Sequence, residues 1–108
     1  MLDCDDFGNE IAVIAARLNV ATHRLLTCIR AFDELGGWHR QGAQSCAHWL
    51  TWRIGLDPGA AREKVRVARA LGALPKIDDA FAAGKLSYSK IRAVTRIANP
   101  ANEQSLSR

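Results

Sequence analysis

Three histidines, three cysteines and a run of arginines are the side chains in this 108-residue chain with chemistry to offer. The histidines are His23, His39 and His48, and the cysteines are Cys4, Cys28 and Cys46. Cys46 and His48 stand two apart on a predicted helix and so point in different directions. His39 could join them, but no fourth ligand accompanies the three, so no zinc site is expected. The cysteine count is odd and no Cys-x-x-Cys pair occurs, which excludes a disulfide framework within one chain. The thiols read instead as small buried hydrophobes in a reducing compartment. The sequence has no glycine-rich phosphate loop, no nucleophile elbow and no paired carboxylates in an apolar setting. No catalytic residue, metal or cofactor is therefore assigned.

The arginines are more informative. Residues 1–36 carry a net charge of −3, whereas residues 60–98 place nine cations against Glu63, Asp78 and Asp79, a net +6. A basic half of this kind suits a polyanionic partner. Arg62, Arg66 and Arg69 recur at i, i+4 and i+7, one stripe of a helix. Further on, Lys76 to Ala98 reads as helix, short glycine-containing turn and helix, a loose helix-turn-helix outline. Its second helix would turn Tyr88, Ser89, Arg92 and Arg96 outward, with Lys85 near its N-terminus and Lys90 completing the set. An arginine fork donates two parallel hydrogen bonds, which suits phosphate oxygens and guanine edges. The competing reading is a solvated helix face with a Glu63–Arg66 pair worth about a few tenths of a kcal/mol.

The elements that must position these groups follow from periodicity. The chain is the length of one small domain, taken here as residues 1–108, with 48% hydrophobic and 24% charged residues. No alternating strand pattern occurs, so the expected fold is all-α, in an orthogonal or bundle arrangement. A continuous first helix is expected over about 6–35, with Ile11, Ile14, Leu18, Ala21, Leu25, Cys28, Phe32 and Leu35 spaced alternately three and four. That heptad seam calls for a neighbouring helix, either within the chain or in a second copy paired through helix 1. Shorter helices are expected at 45–54, capped by Ser45; at 57–71, from Asp57-Pro58; at 75–83; and at 87–98, capped by Ser87. Ile91, Val94, Ile97 and Ala98 form the buried side of the last of these. A final helix opens at Pro100 and would run over 100–108. Trp38 to Gln44 reads as a loop, and Trp49 and Trp52 as core. No apolar stretch approaches the roughly 18 residues of a membrane span, and the acidic N-terminus is unlike a secretory signal, so the expected location is cytoplasmic.

From Phe32 onward an ordered set of residues carries a family resemblance. It comprises Phe32-Asp33, Gly37-Trp38, Gly42, Ser45, Ala47, Trp49-Leu50 and Gly55. It continues through Val65-Arg66-Val67-Ala68-Arg69-Ala70-Leu71 and Leu74-Pro75. It closes with Ala80-Phe81, Gly84, Leu86-Ser87, Lys90, Arg92-Ala93, Thr95-Arg96 and Ala98. This set resembles the N-terminal domain of bacterial HNH-endonuclease-like proteins, the thirteen-E-twelve repeat family (domain-of-unknown-function family 222). The resemblance implies a helical module that accompanies a metal-dependent nuclease. HNH chemistry uses a histidine base, an orienting asparagine and a histidine-bound divalent metal on a ββα element, and no such element is present. The resemblance thus implies a member truncated before any HNH module and supplies no catalytic residue. Two functions are weighed: a non-catalytic module that associates with double-stranded DNA, and a helical protein-interaction or dimerisation module without nucleic-acid contact.

Overall fold

Most helices begin where a short polar side chain can accept the first free N–H groups. A computed structural model describes residues 3–106. Among these residues there are seven helices and no strand: α1 Cys4–Leu35, α2 Gly37–Arg40, α3 Cys46–Ile54, α4 Pro58–Leu71, α5 Pro75–Ala82, α6 Tyr88–Val94 and α7 Glu103–Leu106. The fold is all-α with one long helix at its start.

α1 starts two residues earlier than its apolar pattern indicates because Asp3 caps it. The Asp3 carboxylate accepts from the Asp6 N–H at 2.9 Å and the Asp6 carboxylate from the Asp3 N–H at 3.1 Å. The helix then runs unbroken to Gly36, whose φ of +67° ends it in a conformation that costs glycine little. The expected loop at Trp38–Gln44 is helical in its first part, as α2. Gly37 lies against the Phe32 ring, where a Cβ would collide, and the Trp38 indole N–H reaches back to the Asp33 carbonyl at 3.4 Å. Ser45 caps α3 through the His48 N–H, and Asp57 caps α4 through Gly59 and Ala60.

The core is built from α3, α4, α5 and α6 against the second half of α1. It includes Leu26, Ile29, Leu50, Val65, Val67, Leu71, Leu74, Ile77, Phe81, Ile91 and Val94. α4 is the central element, packed against α1 on one side and α3 on another, with α6 resting mainly on α4 and α5 on α1. The turn after α5 passes close to α1: a Cβ on Gly84 would lie 3.1 Å from Val20 Cγ2 and 3.3 Å from the Ala16 carbonyl. His23 joins the two helices, its Nε2 lying 2.9 Å from an Asp78 carboxylate oxygen and its ring edge-on to Phe81.

Several expectations are corrected. The face of α1 that meets the body carries Asn19, Thr22, His23, Leu26 and Ile29, and of the heptad seam Phe32 joins it by packing on the core. On the seam, Phe7, Ile11, Ile14 and Leu18 are 55, 68, 45 and 61% exposed. Trp49 is half-buried, stacked on Phe32 at 4.4 Å with its N–H donated to Gln41, while Trp52 is exposed. Cys4 and Cys28 are exposed and only Cys46 is buried. The helix expected over 87–98 ends at Val94. The buried Thr95 hydroxyl donates to the Ile91 carbonyl at 2.7 Å, and the next two N–H groups bond three residues back, tightening the chain into turns that leave Ile97 exposed. An Asn99 side chain that accepts from Ala101 and Asn102 then delays the last helix to Glu103, and residues 107–108 of that expected helix lie outside the described residues.

α7 contributes a buried carboxylate to the body. α5 has no side-chain cap of its own, since Leu74 occupies that position. Glu103, 4% exposed, supplies one from outside by accepting from the Lys76 and Ile77 N–H groups. Glu103→Ala is expected to cost about 1–2 kcal/mol, a fall of roughly 4–16 °C in Tm. Glu103→Gln, which keeps an acceptor oxygen, should lose less. Thermal melts followed by circular dichroism check both.

Candidate nucleic-acid interface

α4 sets out its charges in a fixed order. Arg62, Arg66 and Arg69 share one side of the helix and together line a groove of about 430 Å³ against Ser45, Cys46 and Ala47 at the start of α3. Glu63 stands beside them, the one acid between residues 58 and 77. It serves as a hub. Arg66 binds it through Nε at 2.8 Å and through a second nitrogen, Arg96 from beyond α6 reaches it at 3.0 Å, and Arg92 of α6 stands at 3.7 Å. Arg66 also donates to the Arg92 carbonyl at 3.1 Å and to the Thr95 hydroxyl at 3.3 Å. One carboxylate thereby fastens α6 to α4. The hydrogen bond from Arg66, with the charges of Arg66, Arg96 and Arg92 behind it, outweighs burial and holds the Glu63 carboxyl below the usual carboxylate range.

Arg69 is held differently. Its guanidinium makes a two-bond fork to Asp33 of α1, at 2.7 and 3.0 Å, and is 64% exposed on its outer side. That fork raises the Arg69 pKa further. Arg62 is exposed and makes no ion pair among the described residues. The structure therefore brings Arg62, Arg66, Arg69, Arg92 and Arg96 to one region. Lys64 lies next to it, so six cations stand there against Glu63 and Asp33.

The remaining assigned residues are placed less favourably. Tyr88 does not point outward. It is half-buried against the core, its hydroxyl is buried without a hydrogen-bond partner among the described residues, and Lys64 Nζ sits 3.7 Å above its ring. Burial pushes the Tyr88 hydroxyl pKa up and, with Arg92 nearby, the Lys64 pKa down. Ser89 is exposed one turn before Arg92 on α6, whereas Lys90 leaves the helix on a different side. Lys85 is exposed in the connection before α6. The hub role of Glu63, the Asp33 fork and the part of Thr95 escaped the reading of the residues. The available signal was an isolated acid in a basic helix.

The candidate metal ligands stay apart. Cys46 is buried, and burial, with Asp33 adding and Arg69 opposing, pushes its thiol up to about 11. His48 turns back to accept from the Gln44 N–H at 3.1 Å, and His39 lies edge-on to Trp38. Among the described residues no three His, Cys, Asp or Glu side chains gather into a cluster that could hold a metal ion. No helix among them is long and apolar enough to cross a membrane.

A family model described as "Domain of unknown function (DUF222)" matches residues 6–104, and the chain belongs to that family. No curated protein and no solved structure matches it.

The hub makes stability depend on pH. Because the folded Glu63 pKa lies below its unfolded value of about 4.3, its stabilisation is present above that pH and is lost as pH falls through the folded pKa. Glu63→Gln is thus expected to melt below the parent chain at pH 7, with the gap closing as both are titrated down through the folded Glu63 pKa. A gap independent of pH would show that the ionised hub contributes nothing.

Proposed function

We propose that this chain is a non-catalytic helical module that associates with double-stranded DNA through the exposed side of α4 and the Arg92–Arg96 edge beside it. The observation that carries this reading is the gathering of six cations around two carboxylates on one region of the surface. Pairing with Glu63 and Asp33 does not cancel this surplus. It fixes the guanidinium groups at defined positions, so less side-chain entropy is lost when phosphates arrive. Arg62, unpaired, and Arg92 and Arg96, 49 and 56% exposed, are the groups best placed to reach a backbone. The resemblance to N-terminal domains of HNH-endonuclease-like proteins supports a role in holding DNA for a nuclease module. A seven-residue α6 whose buried side faces α4 favours contact with phosphates over reading of base edges.

Backbone binding has a salt signature. Engagement of about four cations predicts a slope of log affinity against log salt near −3.6, with dissociation constants of about 10⁻⁴ to 10⁻⁶ M at physiological salt. Arg62→Gln with Arg96→Gln should reduce the slope by about 1.8. Fluorescence anisotropy on a labelled duplex measures both. Absence of binding at about 50 mM salt, or an unchanged slope in the double variant, would overturn the proposal.

A further inference from the structure

The first half of α1 carries an apolar seam that nothing among the described residues covers. Phe7, Ile11, Ile14 and Leu18 hold it at heptad spacing and are all exposed, while the body lies against another side of the helix from Ala16 and Asn19 onward. Four large apolar side chains exposed in one stripe form the kind of surface that a partner covers.

The residues flanking the seam select what covers it. One flank carries Glu10, Arg17 and Arg24, a heptad apart, and none has an ion-pair partner among the described residues. The other flank carries Gly8, Ala15 and Thr22. In a parallel, in-register pair each residue of the charged flank meets the partner's residue five positions later. Those are Ala15, Thr22 and Ile29, so no charge is answered. In an antiparallel pair the charged flank meets itself reversed. With Ile11 layered on Ile14 and Phe7 on Leu18, Glu10 meets Arg17 and Asp3 meets Arg24, each twice by symmetry. A slip of one heptad in either direction keeps only two attractive pairs, Glu10–Arg24 or Asp3–Arg17, and sets Arg17 against Arg17 or Glu10 against Glu10, where the chosen register has four attractive pairs and no repulsive one. Charge complementarity therefore singles out one orientation and one register.

We propose that a second copy of this chain covers the seam as a two-fold antiparallel helix pair centred between Ile11 and Ile14. The paired stretch, about 18 residues or ~27 Å of helix, keeps the two bodies at opposite ends. The small flank of Gly8 and Ala15 lets the helices approach closely. The pairing is independent of the proposed DNA contact, since it uses none of the residues of α4 or α6.

Sedimentation of the full chain tests it. The expected species has twice the 11.8 kDa chain mass. Leu18→Glu, at an exposed position, should give a monomer with an unchanged melting profile for the body. Glu10→Arg should weaken the dimer roughly tenfold at low salt, the scale of exposed pairs turned repulsive, and adding Arg17→Glu should restore it. Ala21→Cys, made with Cys28→Ser, should on oxidation link Cys4 of one copy to the introduced thiol of the other. A monomer at every concentration up to about 1 mM would overturn the proposal. So would a dominant Cys4–Cys4 link, which marks parallel pairing, or a failure of Arg17→Glu to rescue.

Discussion

A helix of 32 residues is about 48 Å long, and the short helices of this chain reach only its second half. This mismatch governs the architecture. The body can bury Leu26 and Ile29 and anchor α1 through His23 and Asp33, but it cannot shelter Phe7, Ile11 or Ile14. An isolated helix of the length left over is marginal in water. The Asp3–Asp6 capping box and continuity with the anchored half hold it in line, and the second copy proposed against the seam would supply the missing burial. On this proposal α1 has two working faces, one for its own body and one for a second copy.

Within the body, single carboxylates do much of the joining. Glu63 ties α6 to α4, Asp33 ties α4 to α1, and Glu103 ties α7 to the start of α5. Each is an acid placed against guanidinium groups or free backbone N–H groups, so each fixes a geometry that apolar packing of small helices would leave loose. The same pairs leave a positive surplus on the outer side of α4. Architecture and the proposed DNA contact thus depend on the same side chains. A variant at Arg92 or Arg96 that tests the proposed DNA contact will also loosen α6, and Arg62 is the cleaner probe because it has no ion pair among the described residues to lose.

Local signals in the sequence were reliable where local physics decides. Ser45, Asp57-Pro58 and Ser87 mark helix starts because a side-chain acceptor is needed at those positions, and Gly36 and Gly55 mark ends that adopt positive φ. The seam of α1 was also legible, but periodicity reports which residues are apolar and not which side the body chooses. The body took the Asn19, Thr22, His23 and Leu26 side, where Asp78 and Gly84 offer a hydrogen bond and a close approach. Ile97 and Trp52 were misread for the same reason: an apolar side chain at helical spacing is buried only if a neighbour arrives. In the candidate interface the arginines and the Glu63–Arg66 pair are legible by type and spacing, whereas the further links of Arg66, Arg69 and Arg96 depend on contacts 26–36 residues apart that spacing does not encode. Tyr88 was drawn inward by the core and by Lys64 above its ring.

Hydrogen exchange of the backbone amides of α1, followed against protein concentration, tests the two-faced helix most directly. Amides around Leu26 and Ile29 are protected by the chain's own body and should exchange at one rate at all concentrations. Amides from Ile11 to Leu18 should exchange quickly in dilute solution and slow progressively as the protein is concentrated. Protection of both halves that is uniform and indifferent to concentration would contradict the account.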